Sequence, residues 1–169
     1  MKTAVIYYSY DGSCARTAEA IKTALNADFR SAADVFEIKT VDTKRRKGFF
    51  KMVWGGSQVM RNKKPALQPM SVDLKAYELI VLGTPVWAAS PTPAMVSFLS
   101  TTEITGKKIA LFCCHAGKKG DALGKLKALL SANAAGNTIV GEADFKSPGR
   151  EGRAALKEKV EAWVKTFTM

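Results

Sequence analysis

The sequence predicts an α/β fold built on a doubly wound, five-stranded parallel sheet with helices on both faces. Apolar, β-rich runs recur along the chain, at residues 3–8, 35–41, 78–84, 108–114 and 138–145. The first, third and fourth runs are almost continuously apolar, as is typical of parallel strands that are covered on both faces. Helical patterns fill most of the gaps between the runs. Strand–helix alternation of this kind implies right-handed crossovers between parallel strands.

Amphipathic patterns predict the helices at residues 14–26, 93–100, 121–133 and 151–167. Thr92 precedes the second helix and Asp121 begins the third, both as natural N-caps, and Pro93 occupies a first helical position. No internal repeat or low-complexity linker interrupts the alternation. We therefore expect one domain over residues 1–169, since a chain of this length can bury a self-sufficient core.

The composition predicts a cytoplasmic protein without a membrane partner. The chain opens directly into a strand without the features of a signal peptide, and no apolar run approaches the ~18 residues of a membrane span. Its cysteines, Cys14, Cys113 and Cys114, are odd in number and two are adjacent. They do not form a disulfide framework, which favours a reducing compartment.

The charge is the unusual bulk property. The net charge is +11, and residues 43–72 contain eight basic side chains and no acidic one. We expect a short helix through residues 49–54 of this basic segment, followed by an extended surface crossover. The charge favours an anionic partner, or it serves only solubility.

A nucleic-acid-binding module is the alternative from another functional class. The KRRK run at residues 44–47 and the net charge support it. However, the sequence has no helix-turn-helix, no zinc-ligand spacing and no aromatic RNA platform. We therefore expect no specific nucleic-acid partner, because a basic stripe alone gives non-specific, salt-sensitive binding.

The loop after the first strand, SYDGSC at residues 9–14, has the composition of a phosphate site. Ser9 and Ser13 offer hydroxyl groups, Gly12 permits a tight turn, and a helix opens at Cys14. An ordinary strand-to-helix turn favours the same residue types, so the loop alone leaves both interpretations open. Neither a nucleoside-triphosphate P-loop nor a dinucleotide fingerprint is present.

Two further loops are expected at the same edge of the sheet, because ligands of doubly wound folds sit beyond the carboxyl ends of the strands. GTPVWAASPTP at residues 83–93 contains Trp87, which either anchors the loop or stacks on a planar ring. CCHAGKKGD at residues 113–121 contains His115, the only histidine. This side chain either assists a ligand or is an ordinary surface residue.

These loops and the strands before them make the sequence resemble the flavodoxin family over nearly its whole length. SYDGSC stands where the family has [ST]-x-T-G-x-T, and residues 78–99 resemble its third strand, flavin loop and following helix. The resemblance implies a sheet order of 2-1-3-4-5 and non-covalently bound FMN. It also implies three groups of FMN-binding residues. Ser9, Tyr10, Asp11, Gly12, Ser13 and Cys14 would surround the phosphate; Thr84, Pro85, Val86 and Trp87 would line one side of the ring; Cys114, His115, Ala116 and Gly117 would form the opposite wall.

Asp11 and Cys14 depart from the family's two threonines. A carboxylate at contact distance from a phosphate dianion costs on the order of 1 kcal/mol or more. Asp11 avoids that cost if its side chain bonds to the N–H groups of its own loop instead. Cys14, at the start of a helix, is expected to have a lowered thiol pKa unless a bound phosphate opposes the shift.

The resemblance implies electron transfer, and two uses of the flavin remain open. An electron carrier needs a redox partner protein, here one with an acidic face. A small FMN-dependent NAD(P)H:quinone-type reductase needs a pocket over the flavin and a small-molecule electron acceptor. Oligomeric state does not follow from the sequence.

Overall fold

The structure is a computed structural model that describes residues 1–27, 31–42, 56–57, 59–61, 64–133, 136–150 and 152–168. Its strands are β1 (Lys2–Tyr7), β2 (Ala32–Glu37), β3 (Leu79–Trp87), β4 (Ser90–Pro91), β5 (Lys108–His115) and β6 (Thr138–Lys146). Its longer helices are α1 (Ser13–Leu25), α2 (Pro93–Thr101), α3 (Ala122–Asn133) and α4 (Arg153–Thr168), and a 3₁₀ turn spans Leu74–Ala76. The basic run at 44–47 and the predicted short helix at 49–54 lie outside the described residues.

The sheet runs in the order β2-β1-β3-β5-β6, and all of these neighbours are parallel. The two-residue strand β4 pairs only with β3, antiparallel. Without β4 the order is 2-1-3-4-5, so the predicted fold class is confirmed. The expectation of a single domain stays a prediction.

Each face of the sheet has its own helices and its own core. Along β5, Ile109, Leu111 and Cys113 join the core under α2 and α3, whereas Ala110, Phe112 and Cys114 join the core under α1 and α4. This alternation follows from the two-residue period of a strand. Because both faces are buried, the central strands consist of continuous apolar runs.

The boundaries of the second strand differ from the prediction. The strand covers Ala32–Glu37 instead of 35–41, because the alanines that begin it have low β-propensity and give no signal. Its partner β1 ends at Tyr7, and the chain beyond Ile38 then leaves the sheet. There Val41 N–H donates to the Ala66 carbonyl and Gln68 N–H to the Lys39 carbonyl.

The predicted loop after the third strand is in fact a hairpin. β3 continues to Trp87, and the chain turns back through β4, with Val86 opposite Pro91 and Trp87 opposite Ser90. Prolines at 85 and 91 argue against a strand, which is why the sequence did not indicate one. Thr92 stands at the N-cap of α2, but its side chain makes no capping bond. Its hydroxyl lies 3.0 Å from the Thr84 hydroxyl instead.

None of the helices in the described part of the chain has the length and apolar character needed to span a bilayer. The predicted cytoplasmic location stays a prediction.

Candidate functional site

A cavity of about 530 Å³ opens at the carboxyl ends of β1, β3, β5 and β6. It brings together predicted residues from all three loops, namely Asp11, Ser13, Pro85, Val86, Trp87, Cys114, His115 and Ala116. The other predicted residues, Ser9, Tyr10, Gly12, Cys14, Thr84 and Gly117, are not among its lining residues. Gly12 and Gly117 are exposed, whereas Ser9, Tyr10, Cys14 and Thr84 are buried.

The first loop is held by its own side chains. Ser9 Oγ accepts hydrogen bonds from the N–H groups of Gly12, at 3.1 Å, and Ala15, at 3.3 Å. Gly12 has φ 88°, a left-handed conformation that glycine adopts without strain. Asp11 Oδ1 accepts from Ser13 N–H at 3.2 Å. Of the two alternatives for Asp11, the structure therefore has the carboxylate bonded within its own loop, but Asp11 still lines the cavity, so this bond does not remove its negative charge from the site.

The cysteines beside this loop are buried thiols. Cys14 is fully buried, and Cys114 is 3% exposed with its sulfur 3.5 Å from Thr17 Oγ1. Burial, together with the neighbouring Cys114, raises the pKa of the Cys14 thiol well above its usual value. The expected lowering of that pKa is therefore wrong, because desolvation dominates over the helix terminus. Cys114 is the penultimate residue of β5, not a loop residue, and it still lines the cavity.

Trp87 both lines the cavity and anchors the loops around it. Its half-buried ring meets the ring of Tyr8 edge-on with centroids 6.3 Å apart and the ring of Tyr10 with centroids 5.4 Å apart. Tyr10, a residue of the first loop, is 7% exposed and packs against Trp87. The first and second loops are therefore joined through aromatic contacts.

The turn between β3 and β4 is strained. Ala88 and Ala89 have φ values of 45° and 57°, a conformation that costs L-residues roughly 1–2 kcal/mol each. Surrounding contacts hold the turn in place: Lys125 Nζ lies 2.6 Å from Ser90 Oγ, and a Cβ built on Gly120 would lie 2.4 Å from Ala89 Cβ. Ala88 is thereby fixed at the wall of the cavity.

His115, which lines the cavity from the end of β5, belongs to a charged group. Its Nε2 lies 2.9 Å from Asp144 Oδ2, and the other Asp144 oxygen accepts from Lys119 Nζ at 3.1 Å. The hydrogen bond with His115 holds the pKa of the Asp144 carboxyl below its usual value, with Lys119 adding to the shift. The His115 side chain is only 6% exposed, so it is not an ordinary surface residue.

The tautomer of neutral His115 follows from this pairing. An ionised carboxylate can only accept a hydrogen bond, so the proton of the neutral ring resides on Nε2. Nδ1 is buried, and no hydrogen-bonding group of the described residues reaches it. With Nε2 bonded to Asp144, the ring is a fixed wall of the cavity in this arrangement.

A fourth loop completes the cavity, and it was not predicted from the sequence. Ser147, Pro148, Gly149 and Arg150 follow β6 and line the cavity together with Gly56. Ser-Pro-Gly is ordinary turn composition, and it gave no reason to single out this loop. The available signal was the sheet order, since it places the end of β6 beside the end of β5.

The cavity fits the FMN that the resemblance implies. Its volume lies within the ~300–1,000 Å³ that is typical of ligand pockets. The apolar Pro85–Trp87 wall and the Cys114–Ala116 wall suit a planar ring, while a hydroxyl and a guanidinium, from Ser13 and Arg150, suit a phosphate. Within the described residues no cluster of His, Cys, Asp and Glu side chains could hold a metal ion.

Comparison with known proteins gives the same fold. A candidate flavoprotein from Bacteroides eggerthii has a TM-score of 0.73 at 18% identity, covering 99% of this chain and 98% of that one. A flavoprotein from Lactobacillus acidophilus, solved in complex with FMN, has a TM-score of 0.65 at 22% identity and covers 96% and 97%. Oxidised flavodoxin 2 from Bacillus cereus has a TM-score of 0.64 at 18% identity and covers 99% and 97%. At these identities the similarity establishes the fold alone.

The sequence comparisons go further than the fold. Among proteins of curated function, none matches the chain. The family described as NADPH-dependent FMN reductase, however, matches residues 1–150. The predicted kinship with flavodoxin-like FMN-binding proteins is thus confirmed, and it supports FMN as the cofactor. The chain belongs to the NADPH-dependent FMN reductase family.

Proposed function

We propose that this protein passes electrons from NADPH, through bound FMN, to a small-molecule acceptor. The family match over residues 1–150 carries the proposal. In the overall reaction NADPH gives up two electrons and a proton and leaves as NADP⁺. The acceptor takes up the two electrons, with that proton and one more from water. FMN, when bound, would supply the chemistry by accepting hydride from the nicotinamide and giving up electrons singly or in pairs.

The residues of the cavity would bind and orient the ring. The rings of Tyr8 and Tyr10 contact Trp87 edge-on, so the Trp87 ring has little freedom to rotate. On the neighbouring strand β5, His115 is fixed by Asp144. Two walls that are positioned before binding reduce the ordering cost of binding a planar group and keep water away from it.

The positive charge supports an anionic substrate. Arg150 lines the cavity, and the whole chain carries +11. A dinucleotide with three phosphates would be drawn to such a field, and added salt would weaken the attraction. We expect nucleic acid to bind only through the same non-specific electrostatic attraction. A labelled DNA duplex should therefore bind at low salt and dissociate at physiological salt.

An electron carrier is the second candidate, and a different observation favours it. The Bacillus cereus flavodoxin aligns with this chain over nearly the whole of both chains. A carrier would exchange electrons with a redox partner protein, and the net charge of +11 suits a partner with an acidic face.

Anaerobic mixing of the FMN-loaded protein with NADPH or NADH separates the two candidates. For a reductase, the flavin absorbance should bleach rapidly with NADPH, and the rate should fall as salt is added. The reductase proposal is wrong if neither nicotinamide bleaches the flavin while a reduced electron-transfer protein does. Heat-denatured protein with the same amount of free FMN is the control for reduction in solution.

A further inference from the structure

The loop after β6 lines the cavity, and hydrogen bonds hold its backbone in place. Ser147 N–H donates to the His115 carbonyl at 2.7 Å, and Arg150 N–H donates to the Ser147 carbonyl at 2.8 Å. Ser147 has φ 50°, an unfavourable conformation for a serine. These bonds fix the backbone of Arg150 relative to β5.

The same loop lies against the first loop. A Cβ built on Gly149 would lie only 3.3 Å from Ser13 Oγ, so the two loops approach closely. Arg16 Nη1, from α1, donates to the Gly149 carbonyl at 3.4 Å. The residue after Gly149 is therefore placed at the end of the cavity that Asp11 and Ser13 line.

Arg150 and Asp11 are lining residues of opposite charge. Asp11 is exposed, and its Oδ1 is bonded to Ser13 N–H. Arg150 is also exposed, and among the described residues no carboxylate forms a salt bridge with it. A guanidinium presents a planar fork of donors that matches phosphate oxygens.

We infer that Arg150 binds the phosphate of FMN and offsets the carboxylate of Asp11, which stands where the flavodoxin-type loop has an uncharged side chain. The inference rests on the flavin site of the proposed function and adds a ligand from the loop after β6. Arg16 acts as a positioning residue, since its guanidinium is bonded to the backbone of the covering loop.

Equilibrium binding of FMN and of riboflavin, which lacks the phosphate, tests this inference on apo protein. Flavin fluorescence would be titrated for the wild type, Arg150→Gln, the double variant Asp11→Asn/Arg150→Gln, and the matched control Arg153→Gln. Arg153 is exposed at the start of α4 and does not line the cavity. Circular dichroism checks that each variant is folded.

Arg150→Gln should weaken FMN binding roughly ten-fold, as expected for one charge-assisted hydrogen bond, and change riboflavin binding less than about two-fold. The control should bind both flavins like the wild type. The double variant should regain most of the lost FMN affinity, because it removes both charges.

Several outcomes would overturn the inference. The phosphate assignment fails if Arg150→Gln weakens both flavins equally, or if Arg153→Gln matches its effect on FMN. The charge offset fails if the double variant binds FMN no better than Arg150→Gln. A wild-type protein that binds neither flavin contradicts the proposed function itself, a result distinct from all of these.

Discussion

Gly83 lies in β3 at a position where the neighbouring strand leaves no room for a side chain. It is registered opposite Phe112 of β5. A Cβ built on Gly83 would lie 2.0 Å from Phe112 Cζ and 2.2 Å from Cε1, whereas ordinary contact begins at 3.4 Å. In a Gly83→Ala variant the ring would have to retreat by more than an ångström.

The surroundings of the ring oppose that retreat. Phe112 is fully buried, and its ring meets Phe145 and Trp163 edge-on with centroids 6.2 Å and 6.4 Å apart. Overpacking a well-packed core costs about 1–3 kcal/mol. Because two further rings would have to move, we expect the upper end, about 3 kcal/mol. In a chain of this size that lowers Tm by roughly 6–12 °C.

Thermal and chemical denaturation of the apo protein, followed by circular dichroism, measures the effect. Gly117→Ala is the matched control, since its Cβ would meet nothing within 4 Å. It should stay within about 0.5 kcal/mol of wild type or be slightly stabilised. In Gly83→Ala/Phe112→Leu the smaller side chain should make the added methyl tolerable, with a favourable coupling of about 1 kcal/mol or more. A Gly83→Ala protein as stable as wild type would refute this account of the packing.

Three further predictions concern the neighbourhood of the cavity. Ala89→Gly should stabilise the protein by about 0.5–1 kcal/mol, because glycine adopts the left-handed conformation of residue 89 without strain. The control Ala128→Gly, in an exposed part of α3, should destabilise it by about 1 kcal/mol. Equal effects of the two substitutions in chemical denaturation would argue against strain in the turn. Burial raises the pKa of the Cys113 thiol to about 12 and that of the Cys14 thiol well above its usual value. Neither of these two should react with a disulfide reagent in the native state at neutral pH, and both should react after unfolding; rapid native labelling of either would contradict this burial. The pKa of Asp144 is lowered in the folded protein, so its stabilising effect is present above about pH 4 and is lost as the pH falls through its folded pKa. The difference in unfolding free energy between wild type and Asp144→Asn should be below about 1 kcal/mol, because the group is partly exposed, and it should shrink in acid. A difference independent of pH would count against the ion pair.

The sequence predicted the sheet well because both of its faces are buried. Central strands such as Leu79–Trp87 and Lys108–His115 must then be apolar throughout, and the intervening helices carry one apolar stripe. The edge strand Ala32–Glu37 lacks that constraint, so its predicted boundaries lay too far along the chain.

The site was less predictable, since loop geometry depends on tertiary contacts. The turn at Ala88 and Ala89 has none of the Asn or Gly residues that normally identify such a hairpin, and packing against Gly120 holds it. The thiol of Cys14 was expected to respond to a helix terminus, but burial dominates. Arg150 lies at the cavity because the sheet order places the end of β6 beside the end of β5 and because Gly149 lies close to Ser13.

Absorbance spectroscopy after incubation with FMN and desalting measures whether the protein holds flavin. The wild-type protein should retain flavin absorbance at about one FMN per chain, and NADPH should then bleach it in the absence of oxygen. A folded protein that leaves the column colourless, at every FMN concentration used, would contradict the assignment of this cavity as a flavin site.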